Sequence, residues 1–143
     1  MQGVVGKVQL SKLDTMLLEN KKRYLKLSQA ISGAFKARSV PAGSEQIHDT
    51  YIFFVEDQKI REGMIDLLNK EGFGTKNLPD AIEWHCAAFW DHALPEAQIN
   101  AIEKTKLLLN TAIAVPIWLR KSEDDYTKLG EQLCKFAECE LTI

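Results

Sequence analysis

The sequence predicts an α+β fold, with a small sheet of three or four strands, helices packed on that sheet, and a long helix at the start of the chain. Apolar residues recur at helical spacing over several long stretches. Short stretches at 50–56 and 111–119 are instead rich in β-branched and aromatic residues, as strands are. Helices and strands alternate along the chain, but the strands are too few for a doubly wound sheet.

The first helical pattern runs from Val4 to about Phe35, with a break near Asp14 and Thr15 left open. A helix of about thirty residues spans about 45 Å, which exceeds the width of a domain of this size. We therefore expect part of this helix to pack against something outside the chain. Gly33 and the segment 41–44 end it and open a loop.

The middle of the chain reads as strand, helix and strand. The apolar run 50–56 has almost no polar interruption, which predicts a central strand covered on both faces. Asp57 is placed to cap the next helix, and Gly72 can take the left-handed conformation that ends it. Residues 73–76 are a candidate second strand.

Three later elements are also predicted. Pro95 suits the first position of a helix that continues to Leu109. The run 111–119 predicts a strand in which Pro116 implies an edge position or the strand's end. Ser122, with Asp125 three residues later, predicts a capping box that starts the last amphipathic helix.

The composition predicts one globular domain, residues 1–143, and excludes several classes of partner. The chain has 143 residues, 45% of them hydrophobic, and a formal charge of −2, which gives no reason to expect nucleic acid. A basic cluster on the first helix is interpreted as a solvated helix face; it comprises Lys21, Lys22, Arg23 and Lys26.

The compartment is predicted from segments that the sequence lacks. No apolar run approaches the roughly 18 residues of a membrane span, and no signal segment is recognisable, so we expect a cytoplasmic protein without a membrane partner. The three cysteines form no CxxC pair and are expected to be reduced. Cys134 and Cys139 lie on the last helical pattern and are expected in or near the core.

The segment 77–92, NLPDAIEWHCAAFWDH, is the densest in aromatic and proton-carrying side chains. It predicts a loop that becomes a short helix near Trp84. Such a mixture is typical of a loop that faces a substrate with its polar side chains and packs its aromatic side chains against the core. The alternative interpretation is that the aromatics only anchor a long connection, with His85 and His92 hydrogen-bonding locally.

No self-sufficient catalytic or metal-binding set is recognisable. His85, Cys86 and His92 match no common zinc spacing, and neighbours in sequence rarely point at each other as a nucleophile pair requires. Glycines 72 and 74 belong to neither phosphate-loop pattern and are explained by a helix cap and a turn. His48 is interpreted as a local hydrogen-bonding residue.

Taken in order, several segments resemble the C-terminal part of the DegT-type, PLP-dependent sugar aminotransferases. The matching segments are GVVG at 3–6 with QL at 9–10 and KLD at 12–14, YIFFVE at 51–56, LL at 67–68, EGFGT at 71–75, AVPI at 114–117 and SEDD at 122–125. The segment 77–92 is most similar to the branch that aminates an eight-carbon sugar acid, the 8-amino-3,8-dideoxy-manno-octulosonate transaminases. This resemblance implies that His85 lies near the sugar substrate, with Asn77, Trp84 and His92 shaping the same pocket.

The resemblance also implies what this chain lacks. In the family, the Schiff-base lysine and the residues that hold PLP belong to a large N-terminal domain, which has no counterpart in the sequence. No cofactor is therefore expected on this chain alone, and no transaminase activity is expected from it.

Three functions follow from these observations. The first is a C-terminal domain that covers the substrate side of an active site completed by a separate PLP-binding domain. The second is a non-catalytic module for a small acidic sugar or metabolite. The third is an interaction domain, since an uncovered apolar stripe including Val4, Val5 and Val8 predicts a homodimer.

Overall fold

The computed structural model describes residues 2–141 and has the α+β architecture that the sequence predicts. The elements in chain order are α1 (Gln2–Leu10), α2 (Leu13–Ile31), β1 (Lys36–Ala37), β2 (Thr50–Phe54), α3 (Gln58–Lys70), α4 (Ile82–His85), a 3₁₀ turn (Ala87–Phe89), α5 (Glu96–Ala101), α6 (Glu103–Asn110), β3 (Ala112–Pro116) and α7 (Glu123–Leu141).

The three strands form an antiparallel sheet in the order β1-β2-β3. Lys36 of β1 pairs with Phe54 of β2, while Ile52 of β2 pairs with Ala114 of β3. The predicted central position of the strand at 50–56 is therefore confirmed. Pro116 is both the last residue of β3 and part of an outer strand, as its missing amide hydrogen requires.

The prediction that β2 is covered on both faces is wrong. Tyr51 and Phe53 are buried on one face, which we call the inner face, whereas Thr50, Ile52 and Phe54 are only partly buried on the other, the outer face. The same β-branched and aromatic residues that fill a buried strand also suit a half-buried one.

The hydrophobic core lies on the inner face of the sheet, where α2, α3 and α7 pack. It includes Leu27, Ile31, Tyr51, Phe53, Met64, Leu68, Ile113, Val115, Tyr126, Leu129 and Leu133, all of them buried. The pairing of α2 with α7 is close, because Gly130 of α7 lies directly against Ala30 of α2. This helix layer fixes the sheet and leaves the outer face for the loops.

The leading helical pattern is two helices rather than one. A turn at Ser11 and Lys12 separates α1 from α2, slightly before the break left open near Asp14, and α2 ends at Ile31. The Ser11 hydroxyl donates to the carbonyl oxygen of Val8 at 2.8 Å. Serine hydroxyls that bond to nearby backbone compete in this way with helix continuation.

The predicted helix signals are confirmed for α3 and α7. The Asp57 carboxylate accepts from the amide of Ile60 at 2.9 Å, and Gly72 has a φ of 72°. At the start of α7, the Asp125 carboxylate accepts from the amide of Ser122 at 2.8 Å, and the Ser122 hydroxyl accepts from the amide of Asp125 at 3.1 Å. This reciprocal pair is the predicted capping box.

Two other predicted elements differ in detail. Residues 73–76 are not a strand; instead the amide of Lys76 donates to Ala114 at 2.8 Å, and Ala114 donates to Leu78 at 3.1 Å. This contact covers the free edge of β3. Pro95 precedes the first residue of α5, and the helix predicted to continue to Leu109 is interrupted at Ile102.

Two side chains are placed differently from the prediction. Lys21, Lys22 and Lys26 are exposed as expected, but the Arg23 guanidinium is largely buried and donates to the carbonyl of Lys121 at 2.7 Å. Arg23 therefore ties α2 to the connection before α7. Cys139 is exposed rather than near the core, because α7 turns that face to solvent.

None of the helices within residues 2–141 has the length and apolar character needed to cross a membrane.

His48 is expected to make the stability depend on mild acid. Burial and the nearby Lys21 charge lower the pKa of His48 from its usual 6.5, and its ring contacts Tyr24 edge-on at 4.9 Å. The unfolded chain binds this proton more readily, so stability is complete above about pH 6.5 and falls as the pH drops towards the folded-state pKa. Denaturant midpoints between about pH 7.5 and 5.5 measure this loss.

Substitution of His48 by asparagine is expected to flatten that dependence. Asparagine does not titrate and tolerates the positive φ of 54° at this position. The matched control is His92→Asn, which makes the same substitution at a histidine that is 76% exposed. An unchanged slope in His48→Asn would assign the acid sensitivity to other groups.

Candidate functional site

The segment 77–92 folds as two short helical turns joined at a buried residue. Helix α4 ends at His85, and the buried residue Cys86 joins it to the 3₁₀ turn that begins at Ala87. The Trp90 indole nitrogen donates to the carbonyl oxygen of Glu83 at 3.1 Å and holds the two turns together. The predicted short helix near Trp84 is thus confirmed.

These turns form a shallow pocket of about 390 Å³. Its lining residues are Glu83, Trp84, Phe89, Trp90 and His92. Trp84 is 82% exposed, which is unusual for an indole, and the His92 imidazole is 76% exposed. The pocket therefore offers aromatic faces and one titratable ring to solvent.

The structure brings two of the four predicted site residues together. Trp84 and His92 line the same pocket. His85 is exposed on α4 and does not line it, while Asn77 lines a separate cleft with Thr50 and Lys76. The resemblance implies one pocket for all four residues; in this structure Trp84 and His92 share one pocket, Asn77 lines another cleft, and His85 lines neither.

The pocket has side chains of the types that sugar-binding sites use, but it offers no complete catalytic set among the described residues. Aromatic faces stack on the apolar face of a sugar ring, and a carboxylate and an imidazole can bond to its hydroxyls. The His92 Nδ1 lies 3.9 Å from the Asp91 carboxylate, beyond hydrogen-bonding distance, and the Cys86 thiol is buried. Residues 2–141 also hold no group of three or more acidic, histidine or cysteine side chains suited to a metal ion.

Phe89 and Trp90 were not predicted as site residues from the sequence, although both line the pocket. Both belong to the dense segment 77–92, so the density itself was a usable signal. The turn at Cys86, which brings Trp90 back to Glu83, could not be predicted from the sequence.

Two glycine amides and two lysines among the described residues are poorly suited to holding PLP. The amides of Gly72 and Gly74 are not free to bind a phosphate, because they donate to the carbonyls of Asn69 and Leu68 at 3.0 and 3.1 Å. A Schiff-base lysine needs a lowered pKa, yet ion pairing with acidic side chains raises the pKa of Lys22 and of Lys59. No cofactor chemistry is therefore assigned to this chain.

The sequence matches no known family model and no curated protein, but the fold matches solved structures. One is a protein of Streptococcus pneumoniae described as a sugar aminotransferase, Spr1654, in its PMP form, with 20% identity and a TM-score of 0.72 over 96% of this chain. A second is 3-amino-5-hydroxybenzoic acid synthase, with 17% identity and a TM-score of 0.69 over 92% of this chain. A third is the aminotransferase TlmJ of Streptoalloteichus hindustanus, with 17% identity and a TM-score of 0.69 over 97% of this chain.

The chain spans about a third of each of these proteins, covering 34% of Spr1654, 37% of the synthase and 36% of TlmJ. At such identities the likeness shows a shared fold. The chain has the fold of part of an aminotransferase.

Proposed function

We propose that this chain is the C-terminal small domain of a PLP-dependent sugar aminotransferase of the DegT type, covering the substrate side of an active site that a separate large domain completes. One observation carries the proposal: almost the whole chain superposes on one third of a sugar aminotransferase. The order of the matching sequence segments supports the same family.

The structure supports a role that depends on a second polypeptide or domain. The Gly72 and Gly74 amides are already bonded to backbone carbonyls, and α1 exposes an apolar surface that includes Val4 (70% exposed), Val5 (57%) and Val8 (47%). A surface of this kind is a liability in a monomer. Within the proposal, Trp84 and His92 contact the sugar, which is a sugar acid if the similarity to the octulosonate transaminases extends to the substrate.

The proposal is tested by adding PLP to the purified chain, reducing with borohydride and locating any modified lysine by mass spectrometry. We expect no internal aldimine absorbance and no single lysine modified in preference to the others. A stable Schiff base on one lysine would contradict the proposal that a separate large domain binds PLP.

The chain by itself is expected to self-associate through α1. Size-exclusion chromatography with light scattering is expected to give twice the chain mass, because two apolar stripes cover each other. The double substitution Val4→Asp, Val8→Asp is expected to give a monomer by placing charges in that contact.

The matched control is the double substitution Leu107→Asp, Leu108→Asp, which introduces the same two charges at residues of α6 that are 58% and 52% exposed. This variant should keep the wild-type mass. A monodisperse wild-type monomer would exclude the stripe as a self-association surface.

A second candidate function is a non-catalytic sugar-binding module, because the pocket of Trp84, Trp90 and His92 lies wholly within this chain. Tryptophan fluorescence with 3-deoxy-manno-octulosonate as the probe measures such binding. Trp84→Ala and His92→Ala are expected to weaken it, and His85→Ala is expected to leave it unchanged. Loss of binding in His85→Ala alone would favour the arrangement that the resemblance implies.

A further inference from the structure

A row of residues crosses the outer face of the sheet and ends in a basic side chain on each side. The amide of Arg38, just after β1, donates to the carbonyl of Ile52 at 2.9 Å, and Ile52 pairs with Ala114 of β3. Ala114 in turn accepts from the amide of Lys76 at 2.8 Å. Four chain segments thus lie side by side in the order Arg38, Ile52, Ala114, Lys76.

The side chains of this row share the outer face. Successive residues of a strand point to opposite faces, and Tyr51 and Phe53 occupy the inner face. Ile52 therefore points outwards, as do Arg38 and Ala114 beside it. Lys76 borders the cleft on the same face. Neighbouring strands lie about 4.8 Å apart, so the two ends of the row are about 14 Å apart. Arginine and lysine side chains are long enough to lean towards one another over that span.

Arg38, Ile52 and Lys76 of this row line a cleft of about 280 Å³. Ile52 and Thr50 are partly buried and belong to the cleft, and Asn77 borders it with a φ of 68°. This volume lies just below the range of sites for drug-sized ligands. The cleft therefore suits one small polar group better than an extended ligand.

The cleft has a net positive charge, and the guanidinium group of Arg38 makes few hydrogen bonds in it. Lys76 Nζ lies 2.5 Å from the Asp49 carboxylate, and Arg38 makes one long side-chain bond, to the Gln46 amide oxygen at 3.5 Å. Two cations against one carboxylate leave one positive charge. Within residues 2–141, most of the five guanidinium donors have no other acceptor, and their fork geometry suits carboxylates and phosphates.

We propose that this cleft binds a small oxyanion, the carboxylate of a sugar acid or amino acid or the phosphate of a monoester. Arg38 holds the anion through its fork, Lys76 contributes a second charge, and the Thr50 hydroxyl and Asn77 amide complete the donor set. Asp49 keeps Lys76 in place and also weakens binding by repulsion. The proposal is independent of the aminotransferase proposal, because every residue belongs to this chain.

Amide NMR titrations of the full chain test the site, with inorganic phosphate and acetate as separate probes and chloride added to hold the ionic strength constant. A saturable shift at Arg38, Thr50 and Lys76 is expected with at least one probe. A response to phosphate alone assigns a phosphate monoester, and a response to acetate assigns a carboxylate. No saturable shift with either probe overturns the proposal.

Two pairs of variants separate a built site from general electrostatics. Arg38→Gln is expected to weaken binding about tenfold or more, the usual effect of losing hydrogen bonds to a charged group. Lys135→Gln removes one positive charge from an exposed position on α7, on the other side of the sheet, and serves as its control. Equal effects of the two variants would contradict the proposal.

The second pair tests the role of the acidic residue. Asp49→Asn is expected to tighten binding by releasing Lys76, and clearly more than Asp66→Asn, which removes a charge from an exposed position on α3. An equal gain in both variants would show that only net charge matters. Thermal melts of all four variants confirm that each remains folded.

Discussion

Replacement of Tyr126 by phenylalanine is expected to lower the free energy of unfolding by about 1–3 kcal/mol, and replacement by alanine by about 3–5 kcal/mol. The hydroxyl group accepts from the amide of Trp118 at 2.6 Å and donates to the carbonyl of Pro116 at 3.1 Å. Phenylalanine leaves both backbone groups without this partner. Alanine additionally leaves a cavity, because the ring is fully buried and packs edge-on against Phe73 at 5.2 Å.

The effect is large because Tyr126 joins three parts of the fold. It lies in the first turn of α7, bonds to both sides of Ile117 after β3, and contacts the segment that follows α3. The Trp118 indole also donates to the carbonyl of Phe73 at 3.1 Å. Loss of the ring therefore loosens the connection between the sheet and the last helix.

Urea denaturation measures the change, with Tyr24→Phe as the matched control. The Tyr24 hydroxyl makes no hydrogen bond to another described side chain or backbone group, so its removal should change stability by less than about 0.5 kcal/mol. Equal losses in Tyr24→Phe and Tyr126→Phe would mean that the two hydrogen bonds of Tyr126 contribute little.

Gly130→Ala is expected to lower the free energy of unfolding by about 1–3 kcal/mol, although alanine is the better helix former. A methyl group at this position would lie 2.4 Å from the Ala30 Cβ, far inside contact distance. The obstacle is a short side chain next to backbone, which cannot rotate away. Helices α2 and α7 must therefore separate, and they form the principal helix pair on the sheet.

Two further variants decide whether that contact is responsible. Gly6→Ala makes the same chemical change in α1, where nothing lies within 4 Å, and is expected to cause no loss. Adding Ala30→Gly to Gly130→Ala moves the methyl group across the interface and is expected to restore part of the stability. Additive losses in the double variant would place the cause elsewhere.

Signals that act within a few residues were readable in the sequence. Asp57 caps α3, Gly72 ends it, and Ser122 and Asp125 form their box, because each depends on a bond to a near neighbour in the chain. The position of Pro116 at the end of an outer strand could be predicted, because proline has no amide hydrogen to donate to a neighbouring strand. The resemblance of the segments likewise led to the fold that the solved aminotransferases share.

Features that depend on packing were not readable. Helical periodicity continues through Ser11 and Lys12, so it did not locate the turn between α1 and α2. The sequence predicted that Arg23 is solvated, whereas in the fold its guanidinium donates to the backbone carbonyl of Lys121, which is distant in the chain. The apolar run of β2 did not reveal that one of its faces is only partly covered.

The candidate site shows the same division. The sequence by itself determined that the segment 77–92 carries an unusual density of aromatic and titratable side chains. Only the tertiary structure decided that Trp84 and His92 share a pocket while His85 does not, because neighbouring residues of α4 point about 100° apart and the turn after Cys86 brings the later residues back to Trp84. Arg38 and Lys76 are far apart in the chain, and backbone hydrogen bonds to β2 and β3 bring them to the two ends of one row.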